Sequence, residues 1–103
     1  MGLAHRLLIR PVAETDLATL GDYLAARYGE TVALGALSKI EHVAALITET
    51  PQLGRSLDEI LQGIRCFPCG PSLIFYQVTD TAVDIVRVLD ARRDWIKLLL
   101  SAL

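Results

Sequence analysis

Three strand-like segments that follow one another closely near the carboxyl end constrain the fold of this chain most. They run from Ile64 to Phe67, from Leu73 to Val78 and from Val83 to Leu89, with turns at Pro68–Ser72 and Thr79–Thr81. Apolar, β-branched segments joined by short turns favour an antiparallel meander. The last segment shows little polar alternation, which is typical of a strand covered on both faces. We therefore expect Val83–Leu89 to be a central strand.

Two amphipathic helices precede the meander. From Ala13 to Tyr28 apolar residues recur at steps of three and four, and Gly29 ends the pattern. A second apolar stripe runs from Ala33 to Ile47, with Thr31 as its expected N-terminal cap and Pro51 after its end. The two segments predict a helical hairpin.

Shorter segments complete the chain. Ala4–Arg10, which a proline follows, predicts a first strand, and Arg92–Leu103 predicts a short amphipathic helix. Glycine and serine interrupt Pro51–Gln62, which predicts a connecting loop with one helical turn near Leu57–Leu61. The order strand, two helices, three strands, helix indicates an α+β fold, with the helical hairpin packed on one face of a small antiparallel sheet.

Length and composition limit the class of protein. A chain of 103 residues has the size of one compact domain, so we expect a single domain over residues 1–103. Hydrophobic residues make up 52% and charged residues 21%, which is less charge than the ~25% of ordinary soluble domains. We therefore expect a partner to cover part of the apolar surface. A net charge of -2 argues against binding that rests on neutralising many phosphates.

The sequence also bears on location. No uninterrupted apolar run approaches the ~20 residues that span a bilayer. The segment Met1–Arg10 lacks the long apolar stretch and the small-residue cleavage site of a signal peptide. We therefore expect a cytoplasmic protein.

Two cysteines, Cys66 and Cys69, form a Cys-Phe-Pro-Cys spacing. A structural zinc site needs about four ligands, and the two histidines, His5 and His42, lie in unrelated segments. A thioredoxin-like site needs its first cysteine at a helix start, whereas Pro68 indicates a turn here. We therefore expect two reduced cysteines in a hairpin loop, and neither a metal site nor a cofactor.

A more specific pattern lies in the carboxyl-terminal half. Its parts are Gly63–Arg65, where an arginine opens a strand, Ser72–Val78 with its Ile-Phe-Tyr run, and Asp84–Trp95, where Arg-Val-Leu is followed by an Arg-Asp turn. Arg10-Pro11 and Gly54-Arg55 add to it upstream. This pattern resembles the ParE toxins of the RelE/ParE superfamily, and the likeness covers nearly the whole chain. The resemblance implies the same α+β fold with a carboxyl-terminal helix.

The same resemblance implies a function. A ParE-type chain is the toxin of a type II toxin-antitoxin system, and it is expected to inhibit growth by binding and poisoning DNA gyrase. Its expected partners are gyrase and a cognate ParD-like antitoxin, with no membrane partner and no direct nucleic-acid binding except through antitoxin or target. Two alternatives stay open: a RelE-like, metal-independent endoribonuclease that cleaves mRNA on the ribosome, and a non-toxic relic that only binds its antitoxin.

Asp90 departs from the family pattern. The family commonly has a histidine, or in the ribonuclease branch a tyrosine or another proton-transfer residue, just after the fourth strand. An exposed aspartate titrates near ~4 and is a poor proton donor at neutral pH. No acid/base pair is evident elsewhere, since His5 begins the first strand region, His42 lies in mid-helix, and Tyr76 alone would need a much lowered pKa. Asp90 thus favours a binding-based poison, and we assign no catalytic residue.

Candidate binding residues fall into two groups. Those expected to contact the target are cations and an aromatic at the edges of the carboxyl-terminal pattern: Arg65, Arg87, Arg92, Arg93, Trp95 and Lys97. Those expected to contact the antitoxin are apolar residues of the helical hairpin: Leu20, Leu24, Tyr28 and Leu37.

Each of these candidates also has a structural alternative. Arg65 and Arg87 could form ion pairs with Asp84, Asp90 or Asp94 inside the fold. A tryptophan at helical spacing with leucines is more often part of a core than of a binding surface.

Overall fold

The computed structural model describes residues 5–101, so Ala4, Ala102 and Leu103, which the predicted first strand and last helix included, lie outside the described residues. In chain order the elements are β1 (Arg6–Ile9), α1 (Pro11–Tyr28), α2 (Glu30–Glu49), a 3₁₀ turn (Pro51–Leu53), β2 (Arg55–Ser56), β3 (Ile64–Cys69), β4 (Ser72–Val78), β5 (Ala82–Asp90) and α3 (Trp95–Ser101). This order confirms the α+β fold class and the helical hairpin.

The five strands form one sheet in the order β1-β5-β4-β3-β2. Strands β3, β4 and β5 make the predicted antiparallel meander, and β5 is paired on both sides. Strand β2 was not predicted, because its two residues are too few to show any alternation. They pair with β3, Arg55 opposite Cys66 and Ser56 opposite Arg65.

The sheet is mixed rather than purely antiparallel, because β1 runs parallel to β5. Leu7 lies opposite Val83, and Ile9 lies opposite Ile85. Parallel neighbours need a long connection, and here the helical hairpin and three strands separate β1 from β5 in the chain. No tight turn joins the two strands, so nothing local in the sequence determined their relative direction.

Gly29 separates the two helices in a single residue. Its φ of 96° lies in the left-handed region that favours glycine, and its backbone N–H donates to the Ala25 carbonyl at the end of α1. Since α2 then begins at Glu30, Thr31 lies inside the helix and the prediction that it caps α2 was wrong.

Each face of the sheet carries its own core. Against the helical hairpin, one cluster joins Ala13, Ile40, Ile47, Cys69, Ile74, Tyr76, Val83, Ile85 and Val88. Beneath α3, a second cluster joins Leu57, Ile64, Cys66, Phe75, Val86, Leu89 and Leu99. Coverage of both faces explains why the β5 sequence shows so little polar alternation.

A β-bulge interrupts the β4–β5 ladder. Tyr76 lies opposite Ile85 and Phe75 lies opposite Arg87, so Val86 is the extra residue on β5. Residues directly opposite each other share a face of a sheet. The bulge thus places Arg87 on the same face as Phe75, which is the face that α3 covers.

The two cysteines lie in strand β3, so the prediction that they lie in a hairpin loop was wrong. Both are buried and free, and burial raises the pKa of each thiol. Cys66 belongs to the cluster beneath α3 and Cys69 to the cluster beneath the hairpin. Side chains three residues apart on a strand point to opposite faces, so the thiols do not face each other. The turn itself is at Gly70, which has a φ of 58°.

Helix α2 is long and apolar enough, by length and composition alone, to cross a membrane, with a mean hydropathy of 1.3. Its buried stripe, which includes Ile40, Ala44 and Ile47, packs on the sheet. A core helix passes the same test of length and composition, so this finding is weak support for a membrane span.

Candidate functional site

The strand β5 extends beyond its neighbour β1 at one end of the sheet. The β1–β5 ladder ends where the Arg10 N–H donates to the Ile85 carbonyl, and Pro11 then starts α1. The next outward N–H on this edge, that of Val88, donates instead to a carboxylate oxygen of Asp16 at 3.0 Å. The Asp16 side chain of α1 therefore supplies a hydrogen-bond acceptor at a part of β5 that β1 does not reach.

Asp16 also holds Arg87. The guanidinium of Arg87 donates to both carboxylate oxygens of Asp16 at 2.8 Å, and its third contact is with the Leu98 carbonyl at 3.0 Å. The two charged side chains are only 12% and 11% exposed, and the bonds to Asp16 raise the pKa of Arg87. Arg87 thus joins α1, β5 and α3, and it is not available as a surface cation.

Arg87 forms an ion pair within the fold, as one alternative predicted, but its partner is Asp16 and none of the expected aspartates. Asp84, one of the expected partners, pairs with Arg10 at 2.8 Å, and Arg10 also donates to the Gln77 side chain at 2.9 Å. Asp16 fits the ordinary pattern of an acid in the first turns of a helix, so the sequence carried no sign of its contact with a distant strand.

Arg65 is likewise engaged within the fold. Its guanidinium donates to the Gly54 carbonyl at 2.7 Å, beside the 3₁₀ turn. The hydroxyl of Tyr76 accepts from the Gly54 N–H at 2.7 Å and donates to the Pro51 carbonyl at 2.8 Å. These contacts make Arg65 and Tyr76 supports of the segment that leads into β2.

Gly54 is required by the close approach of Tyr76. A Cβ atom at this position would lie 2.6 Å from the Tyr76 hydroxyl and 2.9 Å from the backbone carbonyl of Cys66. Backbone atoms cannot move aside as a flexible side chain can. Any larger residue would therefore push the 3₁₀ turn away from β4.

The turn between β5 and α3 exposes the remaining cations. Arg92 donates to Asp90 through its backbone N–H and its guanidinium, each at 2.8 Å, while its side chain stays 79% exposed. Arg93 and Lys97 are exposed, and no ion pair of Arg93 occurs among residues 5–101. Trp95 is half-buried against Phe75, with 5.4 Å between ring centroids. Trp95 therefore contributes mainly to the core beneath α3.

A cleft of about 420 Å³ opens between α1 and the end of β5, and we name it the α1–β5 cleft. It is lined by Asp16, Thr19, Leu20, Tyr23, Ser72, Val88, Leu89, Asp90, Arg92 and Arg93. The cleft brings together one residue predicted to contact the antitoxin, Leu20, and two predicted to contact the target, Arg92 and Arg93. The other candidates line no part of it.

The remaining antitoxin candidates lie elsewhere on the hairpin. Leu24 and Leu37 are half-buried, and Tyr28 is exposed. Leu37 lines a smaller apolar groove of about 150 Å³ with Leu7 and Ile9 of β1.

Several large apolar side chains of the hairpin are exposed without having been singled out from the sequence. They are Tyr23, Val32, Leu34 and Leu46. They lie outside the apolar stripes by which the two helices pack on the sheet. In the sequence, only the high hydrophobic content of the chain indicated that such side chains would be exposed.

Proton transfer is poorly supported at the positions where the family pattern places it. Hydrogen bonds from the Arg92 side chain and backbone hold the pKa of Asp90 at about 2, so this carboxylate stays ionised at neutral pH. Burial raises the pKa of Tyr76, whose hydroxyl is fully buried. Among residues 5–101 no cluster of three His, Cys, Asp or Glu side chains could hold a metal ion. Asp90 and Tyr76 are therefore poorly suited to exchange a proton near neutral pH.

Comparisons with known proteins point to one family. The model of the family described as "ParE toxin of type II toxin-antitoxin system, parDE" matches residues 7–95. Toxin ParE3 of Caulobacter vibrioides is 34% identical over 64 residues, which cover 62% of this chain and 64% of that relative, slightly less than two thirds of its length.

A solved structure has the same fold. A chain of the chromosomal ParDE TA system from P. aeruginosa superposes with a TM-score of 0.74 at 19% identity, and the match covers 84% of this chain and 96% of that one. At so low an identity the similarity bears on the fold alone.

Proposed function

The chain belongs to the ParE toxin family of type II toxin-antitoxin systems, and on that premise we propose that it arrests bacterial growth by binding and poisoning DNA gyrase. In this proposal a ParD-type antitoxin neutralises it by covering its apolar surface. The proposal also places the chain in the cytoplasm. The observation that carries the proposal is the family match, which extends over residues 7–95.

The low pKa of Asp90 supports a toxin that acts by binding its target over one that cleaves RNA. Metal-independent RNA cleavage needs a proton donor and a proton acceptor whose pKa values lie near the working pH. Asp90 has a pKa of about 2 and is tied to Arg92, so it neither donates a proton at neutral pH nor competes well for one. A poison that acts through contact alone needs no such pair.

Exposed apolar side chains on the helical hairpin support an antitoxin partner. Tyr23, Tyr28, Val32 and Leu34 are each about half exposed or more. An exposed apolar surface on a small domain commonly marks a protein-binding site. An amphipathic helix laid along such a surface is a common mode of recognition.

The target is tested by running two assays on the same purified protein. We expect it to stall supercoiling by gyrase and to leave ribosome-bound mRNA intact. Cleavage of the message with normal supercoiling would instead establish the endoribonuclease alternative and overturn the proposal.

Toxicity itself is tested by induced expression in bacteria with and without the antitoxin. We expect growth to stop when the chain is expressed alone and to resume when the antitoxin is supplied. Normal growth at full expression of folded protein would show that the chain is a non-toxic antitoxin-binding protein.

A further inference from the structure

We propose that the α1–β5 cleft receives an acidic side chain of the antitoxin together with a neighbouring apolar side chain, and that Arg93 is the cation that binds the acid. The inference rests on the proposed function, because it needs an antitoxin to exist. It adds where one part of that partner docks and what chemistry the part must carry.

Among the charged side chains that line the cleft, one arginine has no ion-pair partner within residues 5–101. Asp16 is neutralised by Arg87, and Asp90 by Arg92, in both cases at 2.8 Å. Arg93 also lines the cleft, and no carboxylate among residues 5–101 lies within ion-pair distance of it. When Arg87, which lies outside the lining, is counted with Asp16, these two acids and three arginines carry one net positive charge, which complements a carboxylate.

Beneath this cation the cleft has an apolar floor. Leu20 and Val88, which both pack on the hairpin side of the sheet, line it, and Thr19 and Ser72 lie beside them. An apolar floor with a few placed polar groups is the usual composition of a binding site, and about 420 Å³ falls within the usual range of volumes. The composition fits an apolar side chain next to an acidic one.

The walls of the cleft are fixed before anything binds. Asp16 ties α1 to Val88 and Arg87 of β5, so the wall and the floor are held together by three hydrogen bonds. A site that is already formed loses less conformational entropy when its partner docks.

Continuity with the exposed hairpin surface favours the antitoxin as the occupant. Tyr23, one of the exposed apolar side chains of the hairpin to which the antitoxin is proposed to bind, lines the cleft and is 52% exposed. A nucleic-acid backbone would need many cations, whereas Arg93 is the one lining cation without an ion pair among the described residues.

The test measures binding of the antitoxin encoded beside this chain's gene by calorimetry, at low and at physiological ionic strength. We expect R93Q to weaken binding about threefold and R93E about tenfold or more, because the second change puts a like charge before the acid. The loss should shrink as salt screens the pair. The matched control is R55Q, which removes an exposed arginine from the β2 edge and should leave affinity unchanged.

A second measurement locates the contact. In a methyl-labelled chain, the Leu20 and Val88 signals should shift when the antitoxin binds. A lysine introduced at the responsible acidic position of the antitoxin should restore affinity for the R93E variant.

The possible outcomes separate this inference from the proposed function. Failure of the unaltered chain to bind the antitoxin would remove the proposed partner and this inference with it. Normal binding by R93E, with unshifted cleft methyls, would overturn the inference alone and leave the partnership standing.

Discussion

Asp16 accepts three hydrogen bonds at the point where β1 leaves the sheet. It accepts the Val88 N–H, and it accepts two bonds from the guanidinium of Arg87. Arg87 in turn donates to the Leu98 carbonyl in the middle of α3. One carboxylate on α1 therefore fixes the edge of the sheet and, through Arg87, the carboxyl-terminal helix.

Replacing Asp16 tests this arrangement. D16N keeps the size of the side chain but leaves the Arg87 cation nearly buried without a counter-charge, so we expect a loss of about 3 kcal/mol in the free energy of unfolding. Urea denaturation measures it. The control is D84N, whose ion pair with Arg10 is more exposed and should contribute at most about 1 kcal/mol. Equal losses in the two variants would show that the Asp16 contacts stabilise the fold no more than the Asp84–Arg10 ion pair does.

Asp90 offers a prediction about pH. Hydrogen bonds from Arg92 hold its pKa at about 2, below the ~4 of an unfolded chain. A carboxyl with a depressed pKa contributes stability that is present above about pH 4 and is lost as the pH falls through about 2. A carboxyl-carbon NMR titration should therefore show a midpoint near 2.

Two variants separate the causes of that low pKa. R92Q should raise the midpoint of Asp90 substantially, because it removes the side-chain hydrogen bond and the nearer charge. R93Q should raise it only slightly, because Arg93 acts on Asp90 through its charge alone. A midpoint near 4 in the unaltered chain would contradict the contact between Asp90 and Arg92.

The packing of helix α3 on the sheet depends on one buried leucine. Leu99 is fully buried beneath the sheet and Leu100 beside it is 46% exposed, so the two form a matched pair. We expect L99A to cost about 3 kcal/mol, because it removes a packed side chain and leaves a cavity. L100A should cost less than about 0.5 kcal/mol. Similar unfolding midpoints in chemical denaturation would mean that α3 is not docked as described.

Elements defined by local patterns could be predicted from the sequence. The apolar periodicity from Ala13 to Ile47 and the break at Gly29 were enough for the hairpin. The turns that bound β4 and β5 were enough for the meander. These signals lie within a few residues of the structure that they specify.

Features that depend on distant contacts could not be predicted. The direction of β1 is set by its pairing with β5. The position of the cysteines in β3 follows from pairing with β4, which continues to Cys69 past a proline that suggested a turn. In the candidate site, an Arg-Asp turn after β5 was expected, but the last helix, predicted to begin at Arg92, begins at Trp95. The partner of Arg87 could not be predicted, because Asp16 lies 71 residues away.

Considered as a whole, the molecule has two unlike sides. One face of the sheet is covered by α3, and the other is covered by the hairpin, whose outer surface exposes Tyr23, Tyr28, Val32 and Leu34. The α1–β5 cleft lies where α1 of the hairpin meets the exposed turn before α3. A partner that contacts Tyr23 on the hairpin therefore lies at the same cleft as Arg93.

Burial of this surface predicts a large thermal stabilisation by the antitoxin. A partner that binds only the folded chain, present free at about 100 times its Kd, adds about 2.7 kcal/mol. For a domain of this size about 1 kcal/mol corresponds to about 4 to 8 °C, so we expect the Tm to rise by about 10 to 20 °C. Differential scanning calorimetry of the toxin with and without its antitoxin measures this.

Two variants show whether the hairpin surface is responsible for that rise. Y23A removes an exposed side chain that borders the cleft, whereas L53A removes an exposed apolar side chain from the 3₁₀ turn, outside the hairpin. Truncating an aromatic contact in a binding surface commonly costs more than 1 kcal/mol of affinity, so Y23A should reduce the rise in Tm by several degrees. L53A should keep the full rise. A rise that survives Y23A and fails with L53A would move the antitoxin away from the hairpin and toward the β2 edge.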